Sequence, residues 1–486
     1  MLGLILLASA PVWSQDEPRP VPAPAVTSGP VEDLPVSEDT SRMLTPPPVN
    51  GQSYPTVPTS EERSNYLRGG VAFTTAYTDN AVGPVETCTT AVPPVCSGHP
   101  VSDVSYSVAP FVALDEATPR MHLVLTYAPG FTFYQRESSL NEQDQNASIN
   151  FEYRLSPHVT FSARDGFQKS SNVFNQPDLA SAAAVSGGTQ EANLSVIAPI
   201  ADRLSNAGDV GITYQFAPNS MVGASGTFTN LHYPDQTEVP GLVDSGSQSG
   251  LAFYSLRVAR RHYLGAVYQY QRLLSYPTPG TNETQTHAAI VFYTVYFRPK
   301  FSLSVFGGPQ YAEVGPQFFE MTCPINAVPP AVPPCFAPTP TPASRSWNPT
   351  AGGSLGWQGH LTGLALSYAH LISNGGGLIG AVRMDSASAS IRQQLTRRLS
   401  ASVGGGYTQN DVLAAPPQGS GLVSDNGHTV SGTAALQQQF GQHLNLQAGY
   451  TRLHQDYTSV AVLATTPNTN REFISISYQF AKALGR

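Results

Sequence analysis

From Tyr66 onward the chain is a succession of runs of 10–16 residues in which apolar and polar side chains alternate. The clearest is Phe473-Ile474-Ser475-Ile476-Ser477-Tyr478-Gln479-Phe480, with Ile474, Ile476, Tyr478 and Phe480 on one face and Ser475, Ser477 and Gln479 on the other. Successive side chains of a β-strand point to opposite faces, so this period describes geometry as well as composition. Leu123, Leu125, Tyr127, Phe131 and Phe133 alternate in the same way with Val124, Thr126, Ala128 and Thr132. In Ile149-Asn150-Phe151-Glu152-Tyr153-Arg154-Leu155 two opposite charges fall on the polar face, which suits a wet lumen better than a dry core.

Composition narrows the choice further. Charged residues make up 12% of the 486, about half of the roughly 25% of a soluble globular protein. Mean hydropathy is nevertheless −0.15, and after the N-terminus no stretch approaches the ~20 consecutive apolar residues of a membrane helix. A barrel wall with alternate residues facing lipid and lumen reconciles the two observations. The net charge of −8 is mild, the basic residues are scattered, and no nucleic-acid module is present.

Connections sort the strands. Eight short ones fall at Glu116–Arg120, Ser156–His158, Ala217–Ser220, Arg260–His262, Pro299, Gly359–His360, Arg397 and Gly441–Gln442. Between the resulting hairpins lie longer inserts at 79–102, 137–143, 170–206, 233–246, 276–282, 314–345, 374–379, 412–426 and 458–468. Eight hairpins and one strand at each end give about eighteen strands, an even number that brings both ends of the sheet to the same rim. The short segment 194–200, interrupted by Pro199, is assigned to a loop. The expected fold is an all-β, transmembrane, antiparallel up-and-down barrel over residues 65–486.

Two segments precede it. Residues 1–14, with the apolar run Leu2–Ala10 and small Ser14, are expected to be a signal peptide, although a charged start is missing. Residues 15–64 hold eleven prolines and are expected to form a disordered periplasmic linker. In an exported chain, Cys88 with Cys96 and Cys323 with Cys335 are expected to close two local disulfides in Pro-Pro-containing loops. Their spacing does not fit a zinc site, and no metal or other cofactor is expected.

With these features the C-terminal 420 residues resemble a Gram-negative outer-membrane β-barrel of porin type. The last strand resembles the β-signal read by the barrel-assembly machinery, except that Ala481–Arg486 follow the aromatic Phe480. TonB-dependent transporters also carry a barrel, but fifty Pro-rich residues cannot supply their plug domain. The resemblance implies the cell outer membrane as location, with its lipid and lipopolysaccharide and the assembly machinery as partners. It implies passive diffusion of small polar solutes as function, and it leaves a homo-oligomer open. An export conduit for a polysaccharide and a structural or adhesive surface barrel are the alternatives.

No catalytic constellation accompanies the strands, and no enzymatic activity is expected. Gly352-Gly353-Ser354-Leu355-Gly356 fits the nucleophile-elbow pattern, but no helix follows it. The eleven histidines are dispersed, and His158, His262, His360 and His443 each begin a strand. Glu152, Arg154, Arg164, Arg257 and Arg392 are the candidates for charged pore-lining residues. Loop 170–206 is expected to fold inward on its apolar segment Val196–Ile200 and to place Glu191, Asp202 and Arg203 in the solute path. The aromatic runs at Phe131–Tyr134 and Phe292–Phe297 are assigned to interface girdles, with Tyr134 and Tyr296 as candidates for a sugar-stacking track on the polar face.

Overall fold

Long alternating runs can satisfy their backbone groups only by pairing on both sides, and here they pair into a ring. The computed structural model describes residues 65–81, 101–170, 202–236, 242–277, 280–298, 300–317, 341–413, 426–457 and 468–484, with the backbone alone at 87–88 and 96–97. The expected leader and Pro-rich arm, residues 1–64, lie outside them.

Eighteen strands form the sheet. They are β1 (Tyr66–Thr78), β2 (Asp103–Ala117), β3 (Met121–Tyr134), β4 (Glu142–Arg154), β5 (Val159–Ser170) and β6 (Arg203–Ala217). Next come β7 (Ser220–His232), β8 (Asp244–Ala259), β9 (His262–Tyr276), β10 (Asn282–Arg298), β11 (Phe301–Val314) and β12 (Ser344–Gln358). The ring ends with β13 (Thr362–Asn374), β14 (Ala381–Gln394), β15 (Leu399–Val412), β16 (Gly427–Phe440), β17 (Leu444–Asp456) and β18 (Asn468–Ala483). Every strand pairs antiparallel with its sequence neighbours, and β1 pairs with β18 from Tyr66↔Ala483 to Thr78↔Arg471, which closes the barrel. The strand count and the positions of the short turns agree with the sequence pattern.

The strand ends joined by the eight short turns lie at one rim, here the short-turn end, and those joined by the nine longer connections lie at the other, the long-loop end. At 12–17 residues the strands exceed the ~9–11 needed to cross a bilayer.

The alternation sets the two faces. Phe73, Val112, Leu125, Val210, Val291 and Ile474 share the outward parity and are exposed. Aromatic residues bound this belt: Phe216, Tyr254, Phe297, Phe301 and Trp357 toward the short turns, and Tyr77, Tyr106, Tyr368, Tyr407 and Tyr450 toward the long loops. Phe297 stacks on Phe301 at 5.0 Å. Beyond the upper aromatics the outward side becomes ionic, with Arg272–Glu283 at 2.8 Å and Arg345–Glu313 at 2.8 Å. The inward parity is mostly Ser, Thr, Gln, Ala and Gly, cross-linked by hydroxyl pairs such as Thr229–Ser247 at 2.7 Å and Thr294–Ser304 at 2.7 Å.

Strand glycines have a packing role. On the inward face Gly352 lies directly opposite Phe306, Gly449 opposite Phe473, and Gly265 opposite Phe292. A Cβ added at Gly352 or at Gly449 would sit 2.5 Å from the opposing Phe Cζ. Each ring therefore lies flat over a neighbouring strand's bare backbone and stays out of the lumen. Phe292, expected in the outer girdle, belongs to this inward set, because its register with Gly265 fixes its side.

The short loop pairing Thr87–Cys88 with Cys96–Ser97 sets Cys88 opposite Cys96 along the backbone. The side chains of all four cysteines, and the backbone of Cys323 and Cys335, lie outside the described residues.

A hairpin folded across the lumen

The ring is interrupted at one place. β12 pairs with β11 as far as Ser344↔Val314, but with β13 only from Gln358↔Gly363 to Ala351↔His370. Above His370, β13 leaves the wall and takes β14 with it; the two stay paired to Asn374↔Ala381. β14 remains attached to β15 up to Val382↔Val412, so the hairpin leans inward about that seam.

Its tip is Asn374-Gly375-Gly376-Gly377-Leu378-Ile379-Gly380, and every residue from Leu371 to Val382 is buried. Positive φ at Gly376 (62°), Gly377 (109°) and Gly380 (91°) makes the turn possible; a Cβ-bearing residue is strained there. Leu371, Leu378, Val382 and Met384 pack with Leu231 of β7, Tyr233, Leu242 and Tyr457. Ile372 and Ala381 pack with Leu273 of β9 and Ala312 of β11. Leu231, Leu273 and Ala312 are inward-facing and lie several strands away around the wall, so these contacts pass through the lumen.

Hydrogen bonds hold the tip where it lands. Val243 N donates to Gly377 O at 2.8 Å, and Gly380 N donates to Ser275 Oγ at 3.0 Å. Tyr233 Oη donates to Gly376 O at 3.5 Å and also bonds the Arg203 guanidinium. Burial pushes the Tyr233 phenol above the ordinary tyrosine range while Arg203 acts the other way, so the group is a neutral donor near pH 7. Full burial of a Leu or Ile side chain contributes roughly 1.5–3 kcal/mol, so the apolar tip is held chiefly by Leu371, Ile372, Leu378 and Ile379. Tyr233→Phe removes one donor and leaves the packing. We expect about 1 kcal/mol less hold on the tip, measured as more frequent opening events in single-channel records.

The five candidate lining residues all have inward parity. Glu152 and Arg154 lie on β4, and Arg164 on β5 faces Asp209 of β6 and donates to Asn150 Oδ1 at 3.3 Å. Arg257 binds the neighbouring short turn, with Nε at 3.0 Å from Asn219 Oδ1 and Nη2 at 3.1 Å from Pro218 O. Arg392 lies on β14.

The expected constriction loop lies largely outside the described residues. Of loop 170–206, residues 171–201, including Glu191, lie outside the described set. Asp202 pairs with Lys169 at 2.9 Å on the outward side of β5. Arg203 is buried beneath Tyr233 and is not at the lumen surface. It therefore supports the β13–β14 tip, because its inward position at the top of β6 brings it under the β7–β8 connection. Tyr134 and Tyr296 do face inward; Tyr134 is buried against the wall, and Tyr296 is half-buried, edge-on to Tyr263 at 5.9 Å.

Sequence reasoning missed this hairpin. The available signal was a break in alternation: Leu371-Ile372 before the glycines and Leu378-Ile379 after them are consecutive apolar pairs. Wall strands carry such pairs as well, at Leu273-Leu274 and Val291-Phe292, so the break alone does not separate an inward hairpin from a wall strand.

Among the described residues, charge on the inward face is concentrated in one sector. β18 and β1–β6 present Arg471, Arg68, Asp103, Asp115, Glu142, Asp144, Glu152, Arg154, Arg164, Arg203 and Asp209 inward. Among the described residues of β7–β17, only Arg257 and Arg392 add Asp, Glu, Lys or Arg to that face.

The fold and its interior thus define a closed eighteen-stranded barrel with an apolar exterior, a polar interior and a hairpin across its upper lumen. No family model matches the chain, and no curated protein matches it. Solved structures similar to it include OccAB4 of Acinetobacter baumannii, at a TM-score of 0.39 and 9% identity, covering 87% of this chain and 100% of that one. The outer membrane protein OpdK of Pseudomonas aeruginosa gives 0.39 and 10%, covering 86% and 99%. The ferric citrate transporter FecA, in its unliganded form, gives 0.39 and 9%, covering 86% and 79%.

Proposed function

We propose that this protein spans a bacterial outer membrane and conducts small solutes passively, with the β13–β14 hairpin narrowing its path. The observation that carries this reading is the opposition of the two faces in a closed ring. An aromatic-bounded apolar belt points outward, and hydroxyls, amides and a charged sector point inward. A wall of eighteen strands encloses enough cross-section for an aqueous channel, and charge on its lumen side is tolerated because water reaches it.

Reconstitution in planar bilayers tests the reading. Discrete conductance steps are expected from purified, folded protein. A barrel that inserts and stays silent, also after removal of the hairpin tip, would favour the structural or adhesive alternative.

The orientation is tested separately. Long loops face outward in such barrels, so cysteines placed at the exposed positions Ser139 and Asp235 are expected to label on intact cells. Cysteines at Asn219 and Arg397 are expected to label only after the outer membrane is opened. The inverse pattern overturns the orientation.

A further inference from the structure

The uncharged sector of the inner wall is organised in rows. Below the docked tip, Gln271 of β9 lies opposite Thr286 of β10, and Gln310 of β11 lies opposite Ala288. One row lower an apolar band begins, in which Val267, Ile290, Phe292 and Phe306 are buried and Leu251 and Phe253 of β8 are half-buried. The band is continuous across β8–β11.

The amide row is incompletely bonded. Gln310 Nε2 donates to Thr286 Oγ1 at 3.2 Å, but Gln310 Oε1 has no hydrogen-bond partner among the described residues, and neither has Gln271 Nε2. The two side chains are 4% and 1% exposed, respectively. A buried amide group left without a partner carries the uncompensated cost of its lost hydration. Here an unused donor and an unused acceptor stand one row apart on either side of β10, at the edge of an apolar surface.

We propose that this wall is a binding subsite for a neutral solute with an aromatic ring and a hydroxyl or carboxamide group. The ring would lie on the band at Leu251 and Phe253, and the polar group would accept from Gln271 Nε2 and donate to Gln310 Oε1. A carboxylate or ammonium is disfavoured there, since inward Asp, Glu, Lys and Arg are absent from β9–β13. The proposal rests on the channel reading for its biological meaning, but the binding itself does not require conduction.

The test is equilibrium binding to the folded protein in detergent, with phenyl β-glucoside, methyl β-glucoside and phenyl β-glucuronide as probes. Phenyl glucoside is expected to bind about tenfold more tightly than methyl glucoside, the equivalent of one buried ring face, and more tightly than the glucuronide. Phe253→Ser is expected to abolish the difference between the two glucosides, and Leu251→Ser to reduce it. Gln271→Leu, which removes the donor at nearly constant volume, is expected to weaken both. Equal binding of the two glucosides by the unaltered protein would overturn the proposal. So would tighter binding of the glucuronide, or a phenyl preference that survives Phe253→Ser and Leu251→Ser alike. Folding of each variant is checked by heat-modifiable migration. Flux of the same probes into proteoliposomes then reports on the channel reading alone, because a protein that binds phenyl glucoside and admits none fails only that reading.

Discussion

Replacing Gly375–Gly380 with an Asn-Gly turn is expected to raise single-channel conductance several-fold while leaving the barrel folded. The six residues removed include Leu378 and Ile379, the apolar side chains closest to the turn, and the carbonyls of Gly376 and Gly377 that Tyr233 and Val243 bind. Without them the hairpin loses the packing of Leu378 and Ile379 and the hydrogen bonds of its tip, and only Leu371, Ile372, Ala381, Val382 and Met384 remain against β7, β9 and β11. A two-residue type I′ turn matches the twist of an antiparallel pair, so the hairpin itself persists. Nothing in the ring of strand pairs depends on the deleted residues, since β14 keeps β15 and the lower half of β13 keeps β12. Unchanged conductance in a properly inserted variant would show that the tip is not the narrow point. The charged candidates at Glu152, Arg154 and Arg164 would then be the place to look, through charge-reversal variants and their reversal potentials.

Gly352→Val is expected to prevent the barrel from reaching its folded form. At this position an added Cβ meets Phe306 Cζ at 2.5 Å, Tyr368 O at 2.6 Å and Phe306 Cε1 at 2.8 Å. Overpacking of a well-filled site typically costs about 1–3 kcal/mol, and here one obstacle is a backbone carbonyl that cannot turn aside. Gly352 also sits beside the end of the β12–β13 ladder, whose last pair is Ala351↔His370, so a shift there has little pairing above it to resist it. The measurement is the fraction of heat-modifiable protein after refolding. Adding Phe306→Ala should recover part of it, because that change removes the ring but not the carbonyl. Wild-type folding of Gly352→Val alone would show that the Gly–Phe register is not a constraint.

These two expectations draw on different layers of information. The alternation in each run fixed which residues share a face, and the spacing of short turns fixed how many strands there are. Glu152, Arg154, Arg164, Arg257 and Arg392 could therefore be placed on the lumen side before any coordinates. Facing in a strand is local: it follows from a two-residue period and needs no knowledge of the partner strand. Phe292 shows its limit. In Val291-Phe292-Tyr293 every residue is apolar, so the period is lost, and only the pairing with Gly265 decided the side.

The inward hairpin and the concentration of inward charge on β18 and β1–β6 depend on the closed ring. Ile372 meets Leu273, and Gly377 meets Val243, across a lumen whose width and curvature no local pattern encodes. Arg203 was singled out from its loop for a role in the solute path. The structure moved it beneath Tyr233, because the strand order brings the start of β6 under the β7–β8 connection. By itself the sequence determined a barrel with a wet interior and a greasy exterior, through the geometry of single strands. Which segment crosses that interior was decided by tertiary structure alone, because only ring closure brings groups more than 100 positions apart, such as the Gly380 backbone N–H and Ser275 Oγ, within hydrogen-bonding distance.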